Sequence, residues 1–331
     1  MNRRRLAARF LALTVLAGAA AAQAPVALRV ITFEGGWNLP LWAAQRQGFF
    51  RAQGLEVQTV YTPNSAVLVA SLFDGKADIA LALIDNLVAY QEGQGETPIP
   101  QPPDLFAFMG GDGGFLSVVA APETTSFADL KGKTVSVDAM STGAAFVLRE
   151  IAARNGLAEG DLNYVRAGGT ANRYRELLAG KQQATLLRTP FELQAQARGF
   201  RVLARAEALG AYQGTAGIAR RSWALAHEAA LLGFLRAYKA GVDWVCDAAN
   251  REIVEALLVA HSADMTPTLA RQSYGALLAE KGGITRDLSI DMAGLRAVLE
   301  LRSKYGLPRK TLTEPGKYID LGYLDKSVGR R

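Results

Sequence analysis

Short apolar runs alternate with stretches of helical apolar spacing from Ala27 to Pro190. Ala27–Thr32 reads as a strand followed by Gly35 and Gly36; apolar residues then recur at helical spacing from Leu39 to Phe50, with Gly48 as a stop signal. Leu55–Val60 is a second strand, closed by Thr62-Pro63-Asn64-Ser65, where Asn64 or Ser65 can cap a helix running to Phe73. A third strand, Asp78–Leu83, ends at Asp85-Asn86, where another helix begins. Strands joined by helices of this length predict right-handed βαβ units and a parallel sheet.

A proline-rich linker, Thr97–Pro103, leads to a strand at Leu105–Met109 and then to Gly110-Gly111-Asp112-Gly113-Gly114. That many glycines mark a flexible joint or a backbone that approaches something closely. After a strand at Phe115–Ala120 the βα pattern restarts. Val135–Val137 is a strand, Asp138–Gly143 opens a helix that runs through Ile151, and Tyr164-Val165 leads through Gly168-Gly169-Thr170 into a helix at Arg173–Ala179. Ala184–Leu187 is a strand ending at Arg188-Thr189-Pro190. The remaining residues read mostly helical, with clear spacing over Ala224–Val245 and Ala293–Tyr305. The pattern is two βα blocks with a glycine joint between them. Ligands of open parallel sheets bind beyond the carboxyl ends of the strands. If the blocks face one another, their strand-to-helix turns share one cleft, a favoured place for a pocket that closes by hinge motion.

The first residues change the setting. Arg3, Arg4, Arg5 and Arg9 precede an apolar run from Phe10 to Ala22, and Ala20, Ala22 and Ala24 fit the spacing of a cleavage site. This order predicts a signal peptide over residues 1–24, cleaved near Ala22 to Ala24, and an exported chain, with a retained N-terminal anchor as the alternative. The net charge of +6 is then misleading: residues 1–24 hold four of the 37 basic residues and no acid, leaving 33 basic against 31 acidic. A near-neutral chain argues against a nucleic-acid binder or an anionic-membrane binder. Cys246, the single cysteine, reads as a buried helix position. One cysteine forms no internal disulfide and none follows the leader to carry a lipid, so the expected setting is a bacterial periplasm, with the protein free of the membrane.

These pieces, in order, resemble one family. Leu41-Trp42-Ala43-Ala44 with Gly48-Phe49-Phe50, Gly54-Leu55-Glu56-Val57, and Leu72-Phe73-Asp74-Gly75-Lys76-Ala77-Asp78-Ile79-Ala80 match in the first block. Asp129-Leu130-Lys131-Gly132-Lys133, Leu178-Ala179-Gly180-Lys181 and Pro190-Phe191 match in the second, so the resemblance covers residues 28–245. The chain resembles the periplasmic solute-binding proteins of ABC importers, in the group handling alkanesulfonates, taurine, nitrate and thiamine-pyrimidine precursors. The resemblance implies an α/β fold of two lobes (type II), with residues 25–112 and 221–331 forming lobe one and 113–220 lobe two. It further implies a monomer that does no chemistry, holds no cofactor, captures a small solute by hinge closure and docks on a membrane permease with its ATPase.

Strand-end turns supply the candidate ligand contacts. Gly36, Trp37 and Asn38 offer backbone N–H groups, an aromatic face and an amide, though Trp37 also suits a core and Asn38 a helix cap. Ser65, Asp85 and Asn86 stand at two further helix starts, which favour an anion; Asp85 fits an N-cap, and facing the cleft it would favour a ligand with an amine or heterocyclic N–H. Ser141, Thr142 and Gly143 form the clearest anion signal, with Gly169 and Thr170 a similar one. Arg188 suits a carboxylate or sulfonate, or a bridge to Glu192. The expected ligand is therefore a small anionic organic solute, with a pyrimidine-type heterocycle as the alternative and ligand sensing for a signalling partner as the alternative role. A hydrolase reading finds no G-x-S-x-G and no H-E-x-x-H, and His227 and His261 lie in helical stretches far from the turns.

Overall fold

A computed structural model describes residues 24–329, so all but the last residue of the expected leader lies outside the described residues. The first part of the chain forms β1 (Val26–Thr32), α1 (Leu39–Arg46), α2 (Phe49–Ala52), β2 (Leu55–Tyr61), α3 (Ser65–Phe73), β3 (Ile79–Leu83), α4 (Ile84–Gln91) and β4 (Leu105–Gly110). The second forms β5 (Leu116–Ala120), β6 (Thr134–Val137), α5 (Gly143–Arg154), β7 (Asn163–Arg166), α6 (Thr170–Leu178), β8 (Ala184–Arg188), α7 (Phe191–Gln196) and β9 (Arg201–Arg205). The third adds β10 (Thr215–Arg220) and then α8 (Arg221–Ala226), α9 (Glu228–Cys246), α10 (Arg251–His261), α11 (Pro267–Leu277), α12 (Met292–Tyr305) and α13 (Gly322–Val328). No helix among the described residues is long and apolar enough to cross a membrane.

The strands make two five-stranded sheets, ordered β2-β1-β3-β10-β4 and β7-β6-β8-β5-β9, each forming a lobe with its helices. Both are mixed, where the sequence pattern predicts parallel sheets. β10 runs antiparallel between β3 and β4, and β5 runs antiparallel to β8 and β9. Neither β9 nor β10 carries a strand signal. β10 sets Ala216, Gly217 and Ala219 among Thr215, Ile218 and Arg220, and a Cβ on Gly217 would lie 2.7 Å from the Phe108 ring, so that position excludes a branched residue. Its pairing also returns the chain to the first sheet by Thr215, inside the stretch 113–220 expected for the second lobe. Gly48, expected as a stop, takes a left-handed conformation, φ 74°, and separates α1 from α2.

Side chains alternate across the sheets with a period of two. In β4, Leu105 and Ala107 enter one core and Phe106 and Phe108 the other; in β5, Leu116, Val118 and Ala120 oppose Val119. One core lies beneath the α1, α9, α10 and α11 side of the first sheet, where Phe234 stacks on Phe50 and Tyr238 and meets Phe108 edge-on. Another is continuous between the lobes. Leu87 and Val88 of α4, Phe146 and Val147 of α5, and Leu295, Val298 and Leu299 of α12 all belong to it. The C-terminal helix α12 therefore packs against both lobes at once.

Two segments cross between the sheets, one through the glycine run and one ahead of β10. The glycines serve close approach: a Cβ on Gly113 would lie 2.5 Å from Gly282 Cα, and Gly114 has φ 102°. Replacing Phe234, which is wholly buried, by Ala is expected to destabilise the protein by about 3–5 kcal/mol, read as a lower urea midpoint with little change in slope.

Candidate functional site

The two lobes meet through the turns at the ends of β1, β2, β3, β6, β7 and β8. Backbone pairs join them directly: Gly36 donates to the Thr189 carbonyl at 3.1 Å, and Gly169 to the Pro63 carbonyl at 2.8 Å. Between these turns lies a cavity of about 30 Å³, lined from both lobes. That is space on the order of one or two waters, so an organic solute enters only if the lobes part.

Eight of the twelve candidate residues line this cavity: Trp37, Ser65, Asn86, Thr142, Gly143, Gly169, Thr170 and Arg188. The other four do not. Gly36 is used in the pairing with Thr189. Asn38 makes no cap bond to its helix; its amide meets Thr32 Oγ1 and donates to the Phe33 and Gly35 carbonyls, fixing the turn after β1. Ser141 donates its N–H and hydroxyl to Glu96 at 2.9 and 2.7 Å. Asp85 lies in the first turn of α4, where its carboxylate pairs with Arg302 of α12 through bonds of 2.7 and 2.6 Å and accepts from Gly143 N–H at 2.5 Å. Nor does Arg188 bridge to Glu192: it pairs with Asp112, while Glu192 accepts from Thr189.

Asp138 and Arg173 are the functional groups that sequence reasoning missed. Asp138 directly follows β6, and that strand-end position was the available signal. Its Oδ2 accepts from the backbone N–H of Ser65 at 3.2 Å and from the Ser65 hydroxyl. Its Oδ1 is buried without a protein partner among the described residues, as is Trp37 Nε1. Burial pushes the Asp138 carboxyl up, against the opposing pull of Arg173 and of the Ser65 hydrogen bonds. Arg173 is buried as well. It spends its donors on the Gly168 and Leu186 carbonyls and Thr170 Oγ1, and burial lowers its pKa to about 10 although Asp138 acts in the other direction. No sequence signal distinguishes Arg173 from the other arginines of its helix.

Arg188 is held from behind. Its Nη2 donates to both oxygens of Asp112, at 3.0 and 3.1 Å, and to Thr215 Oγ1, and its Nε to the Gly114 carbonyl at 2.6 Å. The guanidinium carbon lies 4.0 Å from the centre of the Trp37 ring, joining a cation to an aromatic face across the lobes. Two of the helix starts that predict an anion are thus already served by protein carboxylates: α5 by Asp85 on Gly143 and Glu96 on Ser141, and α3 by Asp138 on Ser65, while Gly169 ahead of α6 donates to the Pro63 carbonyl. The residues that line the cavity include one carboxylate, Asp138, two arginines, of which Arg188 is paired with Asp112 from behind, and the aromatic rings of Phe33 and Trp37. Among the described residues no His, Cys, Asp and Glu cluster could hold a metal ion.

A further contact ties α12 to α5 outside the cavity. Glu150 accepts from Lys304 at 2.6 Å, Tyr305 at 2.9 Å and Arg154 at 3.0 Å. Burial alone raises its pKa, but these three donors outweigh it and leave it at about 2, below the ordinary 4.5. The folded value is depressed, so the stabilisation is complete above about pH 4.5 and fades as pH falls toward 2. Urea midpoints of the wild type and Glu150→Gln are therefore expected to differ most at pH 6, to differ less at pH 3 and to converge only near pH 2.

The family model described as NMT1/THI5 like matches residues 38–251. No curated protein sequence matches the chain. Among solved structures, a protein of Bordetella bronchiseptica RB50 aligns with a TM-score of 0.77 at 17% identity, over 93% of this chain and 98% of that one. The periplasmic nitrate-binding protein NrtA of Synechocystis PCC 6803 aligns with a TM-score of 0.75 at 14% identity, over 92% and 89%. The alkanesulfonate-binding protein SsuA of Xanthomonas axonopodis pv. citri, bound to MOPS, aligns with a TM-score of 0.69 at 18% identity, over 85% and 92%. At these identities the likeness establishes the fold, which is that of the two-lobed periplasmic binding proteins.

Proposed function

Because the chain belongs to the NMT1/THI5-like family, we propose that it is an exported solute-binding protein that encloses a small polar solute between its lobes and presents it to a membrane permease. The observation that carries this reading is the interlobe cavity with two buried polar atoms, Asp138 Oδ1 and Trp37 Nε1, that lack protein partners. A buried polar group without a partner costs on the order of 1–3 kcal/mol, and a solute that supplies one donor and one acceptor removes both penalties at once. The mature protein works in the periplasm, released by cleavage near Ala22 to Ala24, as a monomer with no cofactor and no catalytic step.

Two solute classes compete. An anion would answer to Arg173 and Arg188, and proteins named for nitrate and alkanesulfonate share the fold. A small heterocycle with both N–H donors and ring acceptors answers better to the groups present. It offers a donor to Asp138 Oδ1, an acceptor to Trp37 Nε1 and a planar face to an aromatic wall. An anion would instead lie against the Asp138 carboxylate, with the α3 and α5 starts already taken. The heterocycle is the reading we adopt.

A thermal-shift panel of nitrate, methanesulfonate, benzoate and 4-aminopyrimidine tests it. The aminopyrimidine is expected to raise Tm, and Asp138→Asn to weaken its binding by about 10–100-fold in calorimetry, the loss of one bond to a charged group. Ser141→Ala is expected to leave that affinity unchanged, because Ser141 serves Glu96. A panel in which only the anions bind reverses the choice of class, and one in which nothing binds removes the assignment of the cavity. Loss of solute uptake in cells lacking the protein separates import from signalling.

A further inference from the structure

Asp85 occupies the place at the start of α5 that an anionic solute would take. Its Oδ2 receives the Gly143 N–H at 2.5 Å and Arg302 Nη2 at 2.6 Å, and its Oδ1 receives Arg302 Nε at 2.7 Å. Arg302 is 0% exposed and Asp85 2%, so neither charge is screened by water. Arg302 Nη2 also donates to the Ser141 carbonyl at 2.7 Å and its Nη1 to Gln94 Oε1 at 3.3 Å. Three segments meet here: α4, the start of α5, and α12. Position 143 is fitted to the carboxylate, since a Cβ there would lie 2.5 Å from Asp85 Cγ.

We infer that Asp85 is a resident anion that sets the selectivity of the cleft, filling an anion receptor made of Arg302 and the α5 start and so turning away carboxylates and nitrate. The inference rests on the reading of the cleft as a solute site. A guanidinium fork beside an oriented backbone N–H is a strong receptor for a planar oxyanion. Left empty, it would compete for every carboxylate near the cavity. Filled by Asp85, it contributes a neutral wall in which the Gly143 N–H is already used, so no donor there is left for a second anion. Asp85 is therefore a specificity-determining residue, and Arg302 positions it.

Asp85→Ala removes a group with the size of formate and leaves the receptor open. The test compares Tm of the wild type, Asp85→Ala and Asp85→Ala/Arg302→Met in sodium formate, sodium nitrate and sodium chloride at equal ionic strength. The wild type is expected to respond alike to all three salts. Asp85→Ala is expected to melt lower in chloride and to regain roughly 5 °C in saturating formate or nitrate, and the double variant to lose that response. Calorimetry with formate is expected to give at least a tenfold tighter affinity for Asp85→Ala than for the wild type. Equal responses of wild type and Asp85→Ala, or a retained response in the double variant, overturn the inference. If Asp85→Ala does not accumulate folded, its refolding yield from urea in formate against chloride decides, and equal yields overturn the proposal. Formate is not a member of the solute panel, so in the formate arms the inference fails or stands apart from the choice of solute.

Discussion

The ion pair between Asp85 and Arg302 is the contact on which the arrangement of the lobes depends. It joins positions 217 residues apart, and Gly143 N–H adds the start of α5 to the same carboxylate. Burying two charges is costly, and the cost is met only where geometry is close to ideal and the other donors are also satisfied. The pair comes close to both conditions, since the fork is bidentate and Arg302 also donates to the Ser141 carbonyl and Gln94 Oε1. The apolar contacts of α12 with α4 and α5 surround the pair and exclude water from it. Fixing α12 in this way also brings Lys304 and Tyr305 to Glu150, so one helix holds both lobes through charge and apolar packing together.

Helix starts usually advertise an anion site because they present unpaired N–H groups and a partial positive charge. Here the same physics operates within the protein. Asp85, Glu96 and Asp138 each reach such a group, and each contact crosses between the lobes. Carboxylates used this way replace an external ligand as the glue of the closed form. They also leave the solute a site whose remaining groups balance, with Asp138 set against Arg173 and Asp112 set against Arg188. The selectivity of the site thus depends on which receptors the protein has already filled, as well as on those it leaves open.

The strand-end turns were legible in the sequence because backbone requirements wrote them. Thr142 does cap α5, accepting from Ala145, and Asn64 caps α3, accepting from Val67. Gly48, Gly143 and Gly169 mark places where the chain bends or approaches a neighbour. The long-range partners were not legible: nothing local in Asp85 indicates Arg302, and nothing in Ser141 indicates Glu96. β10 escaped notice for a different reason. Its Gly217 answers to the crowding of Phe108 and Met109 from the neighbouring strand, so at that position tertiary packing overrode the propensity on which a strand reading depends. The glycine run showed a joint but gave no sign that Asp112 would pin it, accepting from Gly114 N–H at 2.7 Å and Thr215 N–H at 3.0 Å.

The distribution of these contacts determines how the lobes can separate. At the mouth, near Gly36, Pro63 and Gly169, the lobes touch through backbone N–H and carbonyl groups that water can serve nearly as well, each worth only about 0.5–1.5 kcal/mol. On the opposite side, Asp112 fastens both crossing segments, and the start of α12 is tied to the second of them where Asp291 N–H meets Gln213 Oε1 at 2.7 Å. That side also carries the apolar packing of α12, which water cannot replace. Separation therefore costs least at the mouth, with the α12 side as the pivot.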